Sequence, residues 1–407
     1  MSFFHILEAM FDNTVDLYQR ISIFVVFIYL IYIFERKAYS LLLFLPFTYL
    51  FVQSPTPDLP VYIFSLMILY EMVFVEKEKQ ASYAILLFLS VFTFVTKPVA
   101  FWLPLWVIMV YGYKNRKLIF SPKAYILPAL LVVLYVFKNV YTSSLLLFPA
   151  TSTVVPTIYA PAASILEESR KTALLFTYHH YFTIAEINAF SIGERLYHWF
   201  VSCRFASIVH ILIFLVVGVY SLFAVKKRQF VLLSLLFVVL LKLIYVFLFS
   251  GQYRFMLDGV LALLFVLCNF IFQHRQRIVV WLTLLSCMLA ALLMTFPRII
   301  AKAAPDFRPV YWMSPFRMQT FLKPQNYDFD EYEKVKLGNM DLYITPYKDT
   351  FSSQIPVFTA QQLICYYHWN IFPQMRNPSD IRQGFIYKEL LPEEKEQLKQ
   401  WIEDILK

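Results

Sequence analysis

Residues 229–249 read QFVLLSLLFVVLLKLIYVFLF, an apolar run with a single ionisable side chain, Lys242. A helix of that length covers about 30 Å, the thickness of a bilayer's hydrocarbon core. The run shows neither the alternation of a half-solvated strand nor the polar stripe of a water-facing helix. Moving outward, nine more apolar stretches can be read at about 21–35, 39–53, 60–75, 81–96, 98–113, 124–142, 206–225, 255–273 and 278–296. Several are only 15 or 16 residues long, so interfacial Tyr and Trp must extend them at their ends. The pattern predicts an all-α polytopic membrane protein of about ten transmembrane helices.

Composition agrees with that reading. The chain has 407 residues, of which 59% are hydrophobic and only 15% charged, and its mean hydropathy is +0.60. Disordered, coiled-coil and ordinary globular classes are excluded on that ground. Seven glycines cannot be assembled into a GxGxxG or GxxxxGK[ST] loop, so the usual phosphate cradles of nucleotides are absent. Four cysteines, at 203, 268, 287 and 365, show no CxxC spacing, and no HExxH or EF-hand pattern occurs. No motif supports a structural metal, no cofactor is assignable, and a divalent metal is left open.

Orientation follows from the basic residues in short connections, which stay on the cytoplasmic side. Alternate connections hold thirteen: Arg36, Lys37, Lys77, Lys79, Lys114, Arg116, Lys117, Lys123, Lys226, Lys227, Arg228, Arg275 and Arg277. The intervening ones hold two, Lys97 and Arg254. Both termini and the long loop at 143–205 are therefore expected outside. The tail from Pro297 has fourteen basic and fourteen acidic residues, so the formal charge of +9 resides in the membrane part. That distribution argues against nucleic acid as a partner, which would need a basic face on a soluble domain.

Five regions result: an amphipathic interfacial segment at 1–19, spans at 20–142, an outer loop at 143–205, spans at 206–296 and an extracytoplasmic domain at 297–407. Residues 1–19 carry no signal-peptide pattern; an outside amino terminus fits either a first helix inserted in reverse or a chain lacking an upstream span. Within the loop, residues 163–176 form a second candidate interfacial helix. The loop also carries Glu167, Glu168, His179, His180, Glu186, Glu194, Arg195 and His198. Adjacent histidines point to different faces of any regular element, so His179 and His180 make a poor pair of metal ligands. The tail reads as a small mixed α/β domain, with a Pro-rich lead-in at 305–324 and an alternating segment at 340–347. A closing helix opens at Pro392 and repeats Leu398, Trp401, Ile402 and Ile405 on one face.

Charges at membrane depth cost several kcal/mol, so those present usually face a cavity or a partner. They are Asp58, Glu71, Lys97, Lys138, Lys242, Arg254 and Asp258. Glu71 falls near the cytoplasmic end and is expected to pair with a lysine there. Asp58, Lys97, Lys138, Arg254 and Asp258 fall at or near the outer ends of their spans and Lys242 a couple of turns deeper, an arrangement suited to a phosphate-bearing amphiphile whose tail stays in the bilayer. In the plainer account, Lys97, Lys138 and Arg254 snorkel to the headgroups while Arg254 and Asp258, four apart, neutralise each other.

Three segments carry a resemblance: Ser54-Pro55-Thr56-Pro57-Asp58-Leu59-Pro60, Thr96-Lys97-Pro98, and Tyr253-Arg254-Phe255 followed by Asp258-Gly259. With Ile381-Arg382-Gln383-Gly384-Phe385 in the tail, they resemble positions in a family of polytopic bacterial envelope proteins. That family is similar in layout to GT-C type glycosyltransferases. The resemblance implies a bacterial inner-membrane enzyme using a lipid-linked sugar donor, a polyprenyl-phosphate sugar, at the outer face, with a glycan or lipid as acceptor and membrane lipids around it. Lys97, Arg254, Lys242 and Lys138 would then hold the donor phosphate, with Asp258 in support. By the same resemblance residues 1–19 look like the end of the first outer loop in which the family carries its base carboxylate, so that base is not assigned here and Asp58 is the remaining candidate for the catalytic role. The family also carries a second cysteine soon after the one matching Cys365. Pro373-Gln374 occupies that region here, which leaves Cys203 and Cys365, both expected outside, as an alternative disulfide. The rival readings are a lipid-phosphate or glycan transporter or flippase, and a non-catalytic assembly subunit.

Overall fold

The computed structural model describes residues 15–50, 57–76, 80–147, 151–157, 160, 163–178, 181–201, 204–272, 274–295, 333–345, 356–380 and 383–406. The interfacial segment expected at 1–19 lies almost wholly outside them, as does the Pro-rich lead-in at 305–324.

The chain is mostly helical. α1 spans Val15–Arg36; a 3-10 run over Tyr39–Phe44 leads into α2 at Leu45–Leu50; α3 spans Asp58–Val73 and α4 Tyr83–Thr96. A 3-10 turn at Pro98–Phe101 feeds α5 at Trp102–Lys114, and α6 covers Ile126–Ser143. Three shorter helices follow: α7 at Ala163–Thr177, α8 at Ile184–Ala189 and α9 at Ile192–Val201. Then come α10 at Arg204–Lys227, α11 at Phe230–Ser250, α12 at Leu257–Phe272 and α13 at Gln276–Thr295. Among the described residues, each apolar stretch read from the sequence overlaps one of α1 to α6 or α10 to α13; that at 39–53 is divided between the 3-10 run and the short α2. Among the described residues, Ile126–Ser143, Ala206–Lys227 and Phe230–Ser250 are long and apolar enough to cross a membrane. Four shorter apolar helices accompany them: Tyr39–Thr48, Tyr83–Thr96, Leu257–Phe272 and Gln276–Leu292.

The helical core is aromatic and closely packed. Trp102, Trp106, Tyr29, Tyr220 and Phe265 are fully buried, and their polar handles find partners, as buried Tyr and Trp require. The Trp106 indole donates to Ser234 Oγ at 3.2 Å, Tyr29 to the Leu41 carbonyl at 2.9 Å and Tyr220 to the Leu232 carbonyl at 3.2 Å. Outer surfaces are the reverse of a soluble protein's: Phe137 on α6, Leu215 on α10 and Trp281 on α13 are all exposed. Continuous apolar exposure on this scale marks a surface that meets lipid or another apolar partner.

The carboxyl-terminal unit is small and contains strands. β1 (Glu333–Leu337) and β2 (Met340–Thr345) form an antiparallel hairpin, and β3 (Val357–Thr359) joins β2 in parallel. α14 (Ala360–Trp369) is followed by the antiparallel pair β4 (Ile371–Met375) and β5 (Phe385–Glu389), then by α15 at Pro392–Leu406. Gly338 takes φ +58 at the first central position of the two-residue β1–β2 turn, which a side chain would disfavour. Buried Gln374 clamps this turn to β4: its Oε1 accepts from the Asn339 amide at 2.7 Å and its Nε2 donates to the Leu337 carbonyl at 3.3 Å. Leu398 of α15 enters the core with Leu337, Leu342, Leu363 and Phe372, and Trp401 and Ile402 pack on it.

Candidate functional site

The sequence places Asp58 in the first turn of α3 and Asp258 in the first turn of α12. Helix amino termini favour anions through the macrodipole, so both carboxylates sit where the backbone helps keep them charged. Each also receives a lysine from another helix. Lys97 Nζ donates to Asp58 Oδ1, and Lys242 Nζ donates to Asp258 Oδ1. Lys97 caps the end of α4 in an extended conformation, φ −146 and ψ 105. Pro98 imposes that conformation by disfavouring the helical region for its predecessor. The Thr96-Lys97-Pro98 break therefore aims the lysine across to α3.

The second pair is sealed. Lys242 is 0% exposed and Asp258 3%, and Trp102 completes the carboxylate's shell by donating from Nε1 to Asp258 Oδ2 at 2.9 Å. Gly259 packs close by: a methyl group there would sit 3.3 Å from Val239, a tight contact, and 3.5 Å from the Lys242 side chain, an ordinary one. Arg254 belongs to a 3-10 turn between α11 and α12 and is exposed, its guanidinium 4.7 Å from the centre of the Phe255 ring. Lys97 lies 5.1 Å over the same ring. Lys97 also lies within electrostatic reach of Asp258, Arg254 and Lys242, and Tyr62 within reach of Asp258 and Arg254. Three cations thus meet two carboxylates at one end of the helical body, leaving one net positive charge carried at the surface by Arg254.

Expectation and arrangement differ in several particulars. Asp258 pairs with Lys242 and Trp102, and among the described residues it makes no ion pair with Arg254, four positions away. Lys242 faces that carboxylate and no open surface. Lys138 stands apart on α6, 6.0 Å over the Tyr135 ring one turn earlier, and is not drawn into the group. Cys203 lies outside the described residues, so its pairing with Cys365, which sits on α14, is not part of the described structure. Trp102 does not stand out in the sequence; its only signal there is an indole N–H in an apolar helix, which must find an acceptor. Among the described residues no three His, Cys, Asp or Glu side chains gather as a metal site.

A second polar cluster marks the opposite end of α3. Glu71 Oε1 accepts from Arg36 Nε at 2.8 Å and from the Tyr32 hydroxyl at 2.9 Å, and Oε2 accepts from the Ala81 amide at 2.9 Å. The described partner is an arginine, where the sequence pointed to a lysine; Arg36 ends α1 and so arrives at the correct level, while Lys77 and Lys79 lie outside the described residues. From Asp58 to Glu71 the axial distance is about 20 Å at 1.5 Å per residue.

The segment carrying α7 to α9 docks beside the first cluster. The Trp199 indole donates to the Gly251 carbonyl, and the Gly251 amide donates to Thr177 Oγ1 at 3.0 Å. Both backbone groups of the residue opening the Arg254 turn are therefore held by this segment. Two of its acidic residues serve as caps. Glu186 accepts from the Thr183 amide at 2.7 Å and Glu194 from the Ser191 amide at 2.8 Å. These bonds hold both carboxyls below their ordinary range, the backbone bond being the larger cause. Glu167 pairs with Lys171 at 3.1 Å, and His198 stacks on Phe190 and meets Phe182 edge-on; His179 and His180 lie outside the described residues.

Comparison with known proteins gives a family described as a domain of unknown function (DUF8201), which matches residues 1–261. The match takes in Asp58, Lys97, Lys242, Arg254 and Asp258 and stops short of the carboxyl-terminal unit. No curated protein and no solved structure matches the chain.

Proposed function

The chain belongs to that family, whose description assigns no activity, and from the geometry of the cluster we propose that it is a membrane glycosyltransferase of the bacterial cell envelope, related in layout to GT-C type enzymes. It would transfer a sugar from a polyprenyl-phosphate donor to a glycan or lipid acceptor. One observation carries the reading: Asp58, Lys97, Lys242, Arg254 and Asp258, spread over 200 positions, converge with one net positive charge at one end of the helical body. In the proposed topology the ten apolar stretches cross the inner membrane, and the Glu71 end, where the basic connections cluster, is cytoplasmic. The site, both termini and the α7 to α9 segment then face outward.

Arg254 is the first contact for the donor phosphate, because it alone of the five charged residues is exposed and its guanidinium offers bidentate geometry. Lys97 is the second: it exchanges the Asp58 carboxylate for a phosphate oxygen, which releases Asp58 to act as base. The bond from the anomeric carbon to the phosphate oxygen breaks, and its electron pair stays on the phosphate beside the two cations. The acceptor oxygen bonds the anomeric carbon and passes its proton to Asp58. Lys242 and Trp102 position Asp258 beneath the site, and Lys138 has no part in it.

The test uses the full chain in lipid nanodiscs with radiolabelled polyprenyl-phosphate sugars and membrane acceptor. Arg254→Met should weaken donor binding by about tenfold or more, the equivalent of ~1.5–3 kcal/mol for hydrogen bonds to a charged group. Asp58→Asn should keep binding and lose transfer. Unchanged binding in the Arg254 variant removes the phosphate assignment. The runner-up is a lipid-phosphate or glycan transporter, favoured by one observation: both carboxylates of the cluster are already ion-paired, so no base stands free. Donor binding without transfer by the wild-type chain would select it, or a non-catalytic subunit, over the enzyme.

A further inference from the structure

We infer that α9, Ile192–Val201, is an interfacial helix that lies on the bilayer surface and binds lipid through its outward face. Its polarity is inverted with respect to water. Ile192, Leu196, Tyr197 and Val201 are exposed, at 77%, 44%, 63% and 48%. Arg195 and His198 are turned partly inward, and Trp199 is buried. At 100° per residue the four exposed apolar side chains and Gly193 lie within a half-turn of the helix surface, with Phe200 set among them and partly turned toward α10. The charge at the edge of that arc, Glu194, folds back to cap the helix start through the Ser191 amide. A loop helix in water would be arranged the other way round, with Arg195 outermost.

What covers this face is fixed by where the helix is pinned. Trp199 reaches the Gly251 carbonyl at the end of α11 and lies 6.5 Å from Phe214 of α10, while Phe200 lies 6.0 Å from the same ring. The exposed side chains of α10 and α11 beside this contact, Ile211, Leu215, Ile244, Leu248 and Phe249, are all apolar. These two helices are long and apolar enough to cross a membrane, so the apolar face of α9 continues theirs at the level where the spans end. A helix at that level with an uncharged outer face buries it in the headgroup and acyl boundary. Tyr197 fits there, since aromatic residues with a polar tip favour the interface. The inference rests on the membrane reading of α10 and α11 and is independent of any catalytic activity.

The test is depth measurement on the full chain in nanodiscs. A nitroxide is coupled to p-acetylphenylalanine introduced one site at a time at 192, 197 and 201, leaving the native cysteines in place. Collision rates with oxygen, which concentrates in lipid, and with a water-soluble nickel chelate are then compared. Ile192, Tyr197 and Val201 sites should show an oxygen-to-nickel ratio several-fold above that of a label at Glu194. Free access of nickel to all three overturns the inference, because the helix would then be in water. An immobilised label shielded from both reagents also overturns it, because a protein partner would then cover the face. A label at Leu248 on α11 separates the two levels: nickel access there would defeat the membrane reading itself.

Discussion

Replacing Lys242 by Met tests whether the candidate site is built around a charge that the interior cannot leave unmatched. The side chains are nearly isosteric, so packing is preserved and the perturbation is electrical. Asp258 would keep the Trp102 indole at 2.9 Å and lose the ammonium on its other oxygen, at 3% exposure. Removing one partner of a buried pair costs about 3–5 kcal/mol, because the survivor is left charged in a medium that solvates it poorly. At a few degrees per kcal/mol, melting should fall by roughly 5–15 °C. Cys268 on α12 and Cys287 on α13, both part-buried, serve as native reporters for a thiol-reactive dye during a thermal ramp in detergent. The double variant Lys242→Met with Asp258→Asn removes both charges and keeps an acceptor for Trp102, so it should recover to within about 1–2 kcal/mol of wild type. A single variant as stable as wild type, or a double variant equal to the sum of the singles, would refute the reasoning.

Further expectations concern the segment beside the site and the carboxyl-terminal unit. Gly251→Ala would place a methyl group 2.9 Å from Thr177 Cγ2 and 3.0 Å from Trp199 Nε1; overpacking of this kind costs about 1–3 kcal/mol, and faster amide exchange in α7 and α9 would reveal it, whereas unchanged exchange would show that the clamp is slack. Glu186 and Glu194 have depressed pKa values, so their capping contribution is complete above the unfolded value of about 4.3 and is lost as pH falls through the lower folded value. Protection factors in α8 and α9 should therefore drop between pH 6 and pH 3, and a flat profile would contradict the capping account. Gln374→Ala strands the Asn339 amide and the Leu337 carbonyl, at about 1–3 kcal/mol each if buried; the exchange rate of β1, β2 and β4 measures it, and no change would mean that water replaces the amide.

The helical skeleton was legible because lipid imposes a length and an apolar composition that are properties of consecutive residues. The described residues of the ten apolar stretches are mainly helical, and α15 opens at Pro392 as its sequence pattern indicates. Local capping signals were equally present. Thr183-x-x-Glu186, Ser191-x-x-Glu194 and Thr359-x-x-Gln362 all form reciprocal side-chain and backbone bonds, and that spacing marks a helix start because both partners lie within one turn of each other along the chain. The Leu337-Gly338-Asn339-Met340 turn belongs to the same class, and with the capping signals it would have placed β1 and α8.

Which charge meets which was settled only in three dimensions. Sequence spacing pairs Arg254 with Asp258 four residues on; the fold gives Asp258 to Lys242 and Trp102, the latter 156 positions away, and leaves Arg254 at the surface. It sends Arg36 to Glu71 and leaves Lys138 outside the group. Hydropathy fixes how far along its helix each charge lies, because depth is counted in residues of rise. It says nothing of the azimuth, since which face of a span turns inward depends on how neighbouring helices pack, and packing is a property of pairs of distant segments. The residues of this site were readable as charges toward the outer ends of their spans, with Lys242 deeper and Lys138 counted among them, and their pairing became definite only when α3, α4, α11 and α12 came together.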